Sequence, residues 1–186
     1  MFAKNENIVH GDTPETLEAL RKGSAEAYQI LYKKYNQKIY RFCLRMLIDR
    51  DAARDAFQET FIKVYEHRRD FKGKNFSAWL FTIARRTCLN TIRTRKESES
   101  YDEFVHYTIK ETNEDVGMRD TIDRALAILP IALREAILLR EYEDCSYQDI
   151  ANILGIDVSL AKVRVFRARE ILRKLLAPLK QELYES

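Results

Sequence analysis

The chain has 186 residues, 46% of them hydrophobic and 33% charged, enough apolar material for one packed domain or two small ones. Its net charge of +3 is too small to establish a nucleic-acid partner, so the placement of the charges has to decide. Five glycines, three prolines and almost no strand-like alternation argue against a β fold and predict an all-α protein.

Residues 1–12 are polar and read as a frayed terminus. Thr13-Pro14-Glu15 carries the signature of a helix start, with proline in the first turn. Gly23-Ser24 ends that short helix and caps a long one running to about Ile48, whose inward stripe is Ala27, Ile30, Leu31, Tyr35, Ile39, Phe42 and Met46. The next helix begins near Asp51. It turns Ala53, Ala56, Phe57, Phe61 and Val64 inward and leaves Asp55, Gln58, Glu59 and Lys63 on the other face. Gly73 and its polar neighbours make a loop of residues 71–75. The helix 76–96 combines Phe76, Trp79, Leu80, Phe81 and Ile83 with Arg85, Arg86, Arg93, Arg95 and Lys96. Aromatic rings with arginines can hold unpaired bases. Core packing is the stronger reading for Trp79, Leu80 and Ile83, whereas Phe76, beside the loop, is the better exposed ring. Residues 13–97 thus form a first helical domain.

From Glu97 to Gly117 the chain has seven acidic residues against the single Lys110 and no sustained helical stripe, the pattern of a flexible acidic linker spanning 98–117. Twenty residues extend to about 70 Å at most, so two domains so tethered can touch DNA about two helical turns apart.

A second domain, 118–180, opens with a helix lined by Ile122, Leu126 and Leu129. Pro130 stops that helix and starts the next, in which Leu133, Ile137 and Leu138 face inward. In Ser146–Lys174, Ile150, Ala151 and Leu154 share one face of a short helix, and Gly155 supplies a turn. After Asp157, Ala161, Val165, Ala168 and Leu172 recur at helical spacing, which completes a helix-turn-helix pattern. Lys162, Val163, Phe166 and Arg167 fall on the opposite arc, suited to a DNA major groove. Lys162, Arg164, Arg167, Arg169, Arg173 and Lys174 add charge for phosphates, and an arginine there can read guanine. A solvated basic face on an ordinary bundle gives the same spacing, but outward Val163 and Phe166 favour a contact surface. Pro178 ends or kinks the last helix.

Cys43, Cys88 and Cys145 are odd in number and far apart, so they read as small buried residues rather than a disulfide framework or a zinc site. His10, His67 and His106 are scattered, and no catalytic triad, glycine-rich phosphate loop or HExxH is found, so neither an enzyme nor a cofactor is expected. No apolar run approaches the roughly 20 residues of a membrane span, and the N-terminus lacks the order of a signal peptide; a cytoplasmic protein is expected.

Several motifs in collinear order resemble one family. In the first half they are residues 23–28 (GSAEAY), 51–61 (DAARDAFQETF) and 76–85 (FSAWLFTIAR). In the second they are Leu129-Pro130, Arg134-Glu135-Ala136, residues 146–151 (SYQDIA) and Arg167-Ala168-Arg169. Over about residues 17–97 and 119–177 the chain is similar to the group IV, or extracytoplasmic-function, bacterial sigma factors.

The resemblance implies a protein that binds core RNA polymerase and directs it to promoters. The helix from Asp51 matches the family's polymerase-docking helix and nominates Asp51, Asp55, Gln58, Glu59 and Lys63, whose acidic face would otherwise read as solvent-facing. The loop and helix that follow match the part that opens the downstream promoter element and holds a flipped base: Lys72, Lys74, Asn75, Phe76, Arg85, Arg86, Asn90 and Arg93. The second domain matches the reader of the upstream element, through Ser159, Lys162, Val163, Arg164, Phe166 and Arg167. The linker matches the segment that threads toward the polymerase active centre. An anti-sigma factor is a further partner of many members. The chain departs from the common pattern at Arg86, where many members have asparagine, at Ser159-Leu160 in place of Gly-Thr, and at Val163 in place of serine. Such changes imply the same activity on a different promoter sequence. The other reading of the residues is an autonomous helix-turn-helix regulator, which would bind its operator tightly without polymerase.

Overall fold

A computed structural model describes residues 12–73, 75–99 and 118–177, in which every regular element is an α-helix. Lys74, the expected linker 98–117 (beyond Glu99), residues 1–11 and Pro178 lie outside the described residues.

The first group is α1 (Pro14–Arg21), α2 (Ala25–Leu47), α3 (Arg50–Glu66) and α4 (Phe76–Glu99). Thr13 and Ser24 cap α1 and α2, each accepting a backbone N–H three residues on, as their sequence positions predict. Asp49 caps α3 through the Ala52 N–H and accepts from Arg95 Nη2 at 2.9 Å; together these hold its carboxyl below its ordinary value. α2 is the spine, packed on both α3 and α4. It buries Ala27, Leu31, Tyr35, Ile39, Phe42 and Met46 of the predicted stripe. An aromatic cluster of Tyr35, Phe71, Phe76 and Trp79 fastens the loop before α4, and Arg21 Nε donates to the Phe71 carbonyl at 2.7 Å. Phe76 is therefore only 1% exposed, which corrects the expectation of an outward ring there: three aromatic neighbours draw it into the core.

The second group is α5 (Met118–Ile128), α6 (Ile131–Glu141), α7 (Tyr147–Leu154) and α8 (Val158–Leu175). Pro130 sits at the N-cap of α6. Ser146 and Asp149 form a reciprocal capping box on α7, and Gly155 closes that helix at φ +66°, where a side chain would be strained. α8 rests on α6 through Ala161, Val165 and Ala168, whose small size lets the helices approach closely.

The two groups are not held apart. α4 packs on α7, α2 packs on α5 and α6, and one continuous apolar cluster runs from Leu17 to Ala168. Buried Arg134 of α6 spans the boundary: its Nη1 donates to the Met46 carbonyl near the C-terminus of α2 at 3.0 Å, and its Nη2 donates to the Ala127 and Leu129 carbonyls. This accounts for a charged residue inside α6, whose residues 134–139 are all buried.

The three cysteines are buried, as their sequence surroundings suggested. A hydrogen bond with Cys43, then burial, pushes the Cys88 thiol well up, and burial raises Cys145 to about 12, so neither is a ready thiolate.

Candidate nucleic-acid interface

On α8 the face opposite Ala161, Val165 and Ala168 is open. Ser159, Leu160, Lys162, Val163, Phe166 and Arg167 are all exposed, and Phe166 reaches 63%. Exposing a phenylalanine and a valine side by side forgoes their burial energy. Arg164 differs. It turns away from the arc, and its Nη1 donates to Glu135 Oε1 at 3.2 Å. Lys162 lies near the Tyr147 ring, its Nζ 5.9 Å from the centroid.

α4 divides its basic and polar residues between two sides. Arg86, Asn90 and Arg93, spaced four and three apart, share one exposed face. Arg85, one residue earlier, faces the second group and pairs with Glu135. Asn75 closes the α4 N-terminus by accepting the Ala78 N–H at 2.9 Å, and its Nδ2 donates to Asp149 Oδ1 at 2.8 Å. Lys72 is exposed in the preceding loop. The downstream set is thus not one patch: Arg86, Asn90 and Arg93 stay outward, whereas Arg85 and Asn75 are engaged elsewhere.

Arg86 and Asn90 line an open cleft of about 320 Å³ with Lys63, His67, Asp70, Trp79, Ile83 and Thr87. Its size lies at the lower end of small-ligand clefts, roughly 300–1,000 Å³. Thr87 Oγ1 is buried there without a hydrogen-bond partner among the described residues. Trp79 and Ile83, expected in the core, are half-buried and form its wall. Lys63, assigned from the sequence to the acidic face of α3, opens onto this cleft as well, paired with Glu59 at 2.6 Å. Trp79, Thr87, His67 and Asp70 also line this cleft and were not among the residues nominated from the sequence. The only available signal was that Trp79, Ile83, Arg86, Thr87 and Asn90 recur at three and four residues.

Asp51, Asp55, Gln58 and Glu59 are exposed on α3 as their spacing predicts. Asp51, Asp55 and Glu59 flank a second groove, of about 560 Å³, whose α4 side is Asn90, Thr91, Thr94 and Arg95. Among the described residues no helix is long and apolar enough to cross a membrane.

The Sigma-70 region 2 family model matches residues 31–98, and the Sigma-70 region 4 model matches residues 119–172. The chain is 33% identical to the RNA polymerase sigma-H factor of Pseudomonas aeruginosa, over 90% of this chain and 95% of that protein. It is 31% identical to the ECF RNA polymerase sigma-E factor of Haemophilus influenzae, covering 88% and 94%. Among solved structures it is similar to the sigma factor RpoE of Bartonella quintana, in complex with the anti-sigma factor NepR, with a TM-score of 0.70 and 27% identity over 82% of this chain and 98% of that one. Its fold is also that of CnrH, solved with the cytosolic domain of CnrY, with a TM-score of 0.69 and 21% identity over 90% and 98%. Region 2 followed by region 4, with relatives matched nearly end to end, shows that this chain belongs to the extracytoplasmic-function RNA polymerase sigma factors, which direct transcription initiation.

Proposed function

We propose that the chain selects promoters in the cytoplasm by dividing the work among three surfaces. Lys162, Val163, Phe166 and Arg167 of α8 enter the major groove of the upstream element, with Ser159 and Arg164 on its phosphates. The carrying observation is that these four side chains stand exposed on one arc, opposite three fully buried small residues. Exposed Arg167 supplies the forked donor that can read a guanine edge, and Val163 or Phe166 can meet a thymine methyl.

Arg86, Asn90 and Arg93, with Lys72, Lys74, Asn75 and Arg85, hold the downstream element once melted. The cleft beside Trp79 takes one flipped base: an aromatic wall supports it, and Asn90 and Arg86 supply polar partners for its edge. Buried Phe76 acts from beneath, by supporting Trp79. Asp51, Asp55, Gln58 and Glu59, with Lys63, form the face that docks core polymerase. An anti-sigma factor would compete for these surfaces, as the complexes of the similar sigma factors make reasonable. The work is binding and positioning, with no reaction catalysed by this chain.

Run-off transcription with purified core polymerase tests this division. Arg167→Ala is expected to cost about 1–3 kcal/mol at the promoter and to relax the base choice at one position. Full discrimination by that variant would show that another face reads DNA. Tight, specific binding by the protein alone, with no stimulation of polymerase, would favour an autonomous regulator instead.

A further inference from the structure

The middle of the exposed arc on α8 is apolar, with the Ser159 hydroxyl as its one polar side-chain group. At about 100° per residue, Ser159, Val163 and Phe166 fall along one line of the helix, opposite Ala161, Val165 and Ala168, each of which is 0% exposed. Lys162 and Arg167 flank that line, one on either side. Lys162 leans back toward Tyr147 of α7, its Nζ 5.9 Å from the ring centroid. Phe166 is 63% exposed, more than any other large apolar side chain among the described residues, and Val163 beside it is 41% exposed.

A helix seated in the major groove turns its outermost line to the base edges and its flanks to the phosphate walls. Those base edges carry donors, acceptors and one apolar group, the C5-methyl of thymine. An apolar side chain pressed on a donor or acceptor strips its water and returns no hydrogen bond. Pressed on a methyl, it takes apolar surface of both partners out of water. Val163 and Phe166 therefore reward a methyl and penalise the bare edge of a cytosine. 5-Methylcytosine carries the same methyl on the same ring carbon as thymine, so it offers these two side chains the same surface.

We propose that Val163 and Phe166 make the upstream element a methyl-read sequence. They select thymine by its C5-methyl and prefer 5-methylcytosine to cytosine, so that cytosine methylation of the DNA raises affinity wherever it falls beneath them. The choice of surface rests on the promoter-binding reading above; what is added is the chemical group read there.

Core polymerase carrying the full chain first selects an upstream element from random duplexes. That element is then rebuilt with deoxyuridine in place of each thymidine in turn, which removes the methyl and keeps every hydrogen-bonding group. Each methyl beneath Val163 or Phe166 should be worth about fourfold in affinity, the scale of one methylene taken out of water. With deoxycytidine and then 5-methyldeoxycytidine at the same position, each opposite deoxyguanosine, the methylated duplex should bind more tightly by the same factor. Phe166→Ala and Val163→Ser, both at exposed positions, should each bring the thymidine-to-deoxyuridine ratio at one position close to one. Loss of folded protein does not produce that change, because it weakens both duplexes alike. A selected element with no thymine on either strand overturns the proposal, as does equal binding of the thymidine and deoxyuridine duplexes. A ratio unmoved in either variant, or a methylated cytosine that binds no better than a plain one, overturns it as well. Selection of no upstream sequence at all would defeat the promoter-binding reading of α8 and the proposal together, whereas a clear element indifferent to methyls would defeat the proposal alone.

Discussion

Ile48 ends α2 in the left-handed region at φ 57°, a conformation that a β-branched side chain adopts only at a cost. The residue is 39% exposed, so little packing compensates. Ile48→Gly should therefore raise stability by about 0.5–1 kcal/mol, the strain relieved exceeding the backbone entropy that glycine loses. A higher urea midpoint with unchanged slope would bear this out; a lower midpoint would mean that the Ile48 contacts outweigh the strain. The sequence marked the end of the helix near Ile48 but not the backbone angle there, because isoleucine is the last residue that local preference would place in that turn. Phe76 teaches the same lesson from the other side. Beside a loop it reads as exposed, yet Tyr35, Phe71 and Trp79 surround it, and Tyr35 comes from another helix.

At the scale of elements, capping decides whether the helix-turn-helix is rigid. The Ser146 hydroxyl oxygen accepts the Asp149 N–H at 3.1 Å, and Asp149 Oδ2 in return accepts from the Ser146 N–H at 3.2 Å. α7 has only 8 residues, too few to hold its shape by propensity alone. Ser146→Ala should cost about 1 kcal/mol of stability, with faster amide exchange confined to α7. A loss spread over α1–α4 would count against a local cap. Asp149 also accepts from Asn75 across the boundary between the two helical groups, so the start of α7 and the start of α4 are tied by one carboxylate. Helix limits, caps and the inward stripes of α2, α3 and α8 were legible because they are local and periodic. The division of α4 was not: Arg85 and Arg86 are adjacent, and only the partner surface decides that one meets Glu135 while the other lines the cleft.

For the whole molecule, the boundary between the two helical groups carries a pH dependence. Glu143, between α6 and α7, has a side chain only 5% exposed. Burial raises its carboxyl to about 7 from 4.5, against the opposing pull of Lys38, Arg41 and Arg45 on α2. The folded state therefore holds a proton that a solvated Glu143 of the unfolded chain would release. Stability is unaffected by this group below pH 4.5, falls as the pH rises toward about 7, and carries the full cost of a buried carboxylate above that. The urea midpoint of unfolding should accordingly fall between pH 5 and 8 in the wild type, and Glu143→Gln should flatten that change. An identical pH response in the variant would assign the effect to another group.

The sequence by itself determined the all-helical class, the order of the helices, the helix-turn-helix with its outward arc, and the acidic face of α3. These follow from periods of three and four, from caps, and from turn residues, all encoded within a few positions of each other. Tertiary structure alone decided that the middle of α6 is buried on every side, that Arg134 spans two helical groups, and that Trp79, packed against the core on one side, also walls a cleft. It also decided that Arg85 and Arg164 share Glu135. Each of these joins residues 50 or more positions apart, or depends on which surface a helix meets. A carboxylate at Glu135 reads locally as an ordinary charged residue, and it becomes a bridge only when packing takes it out of water with two guanidiniums beside it.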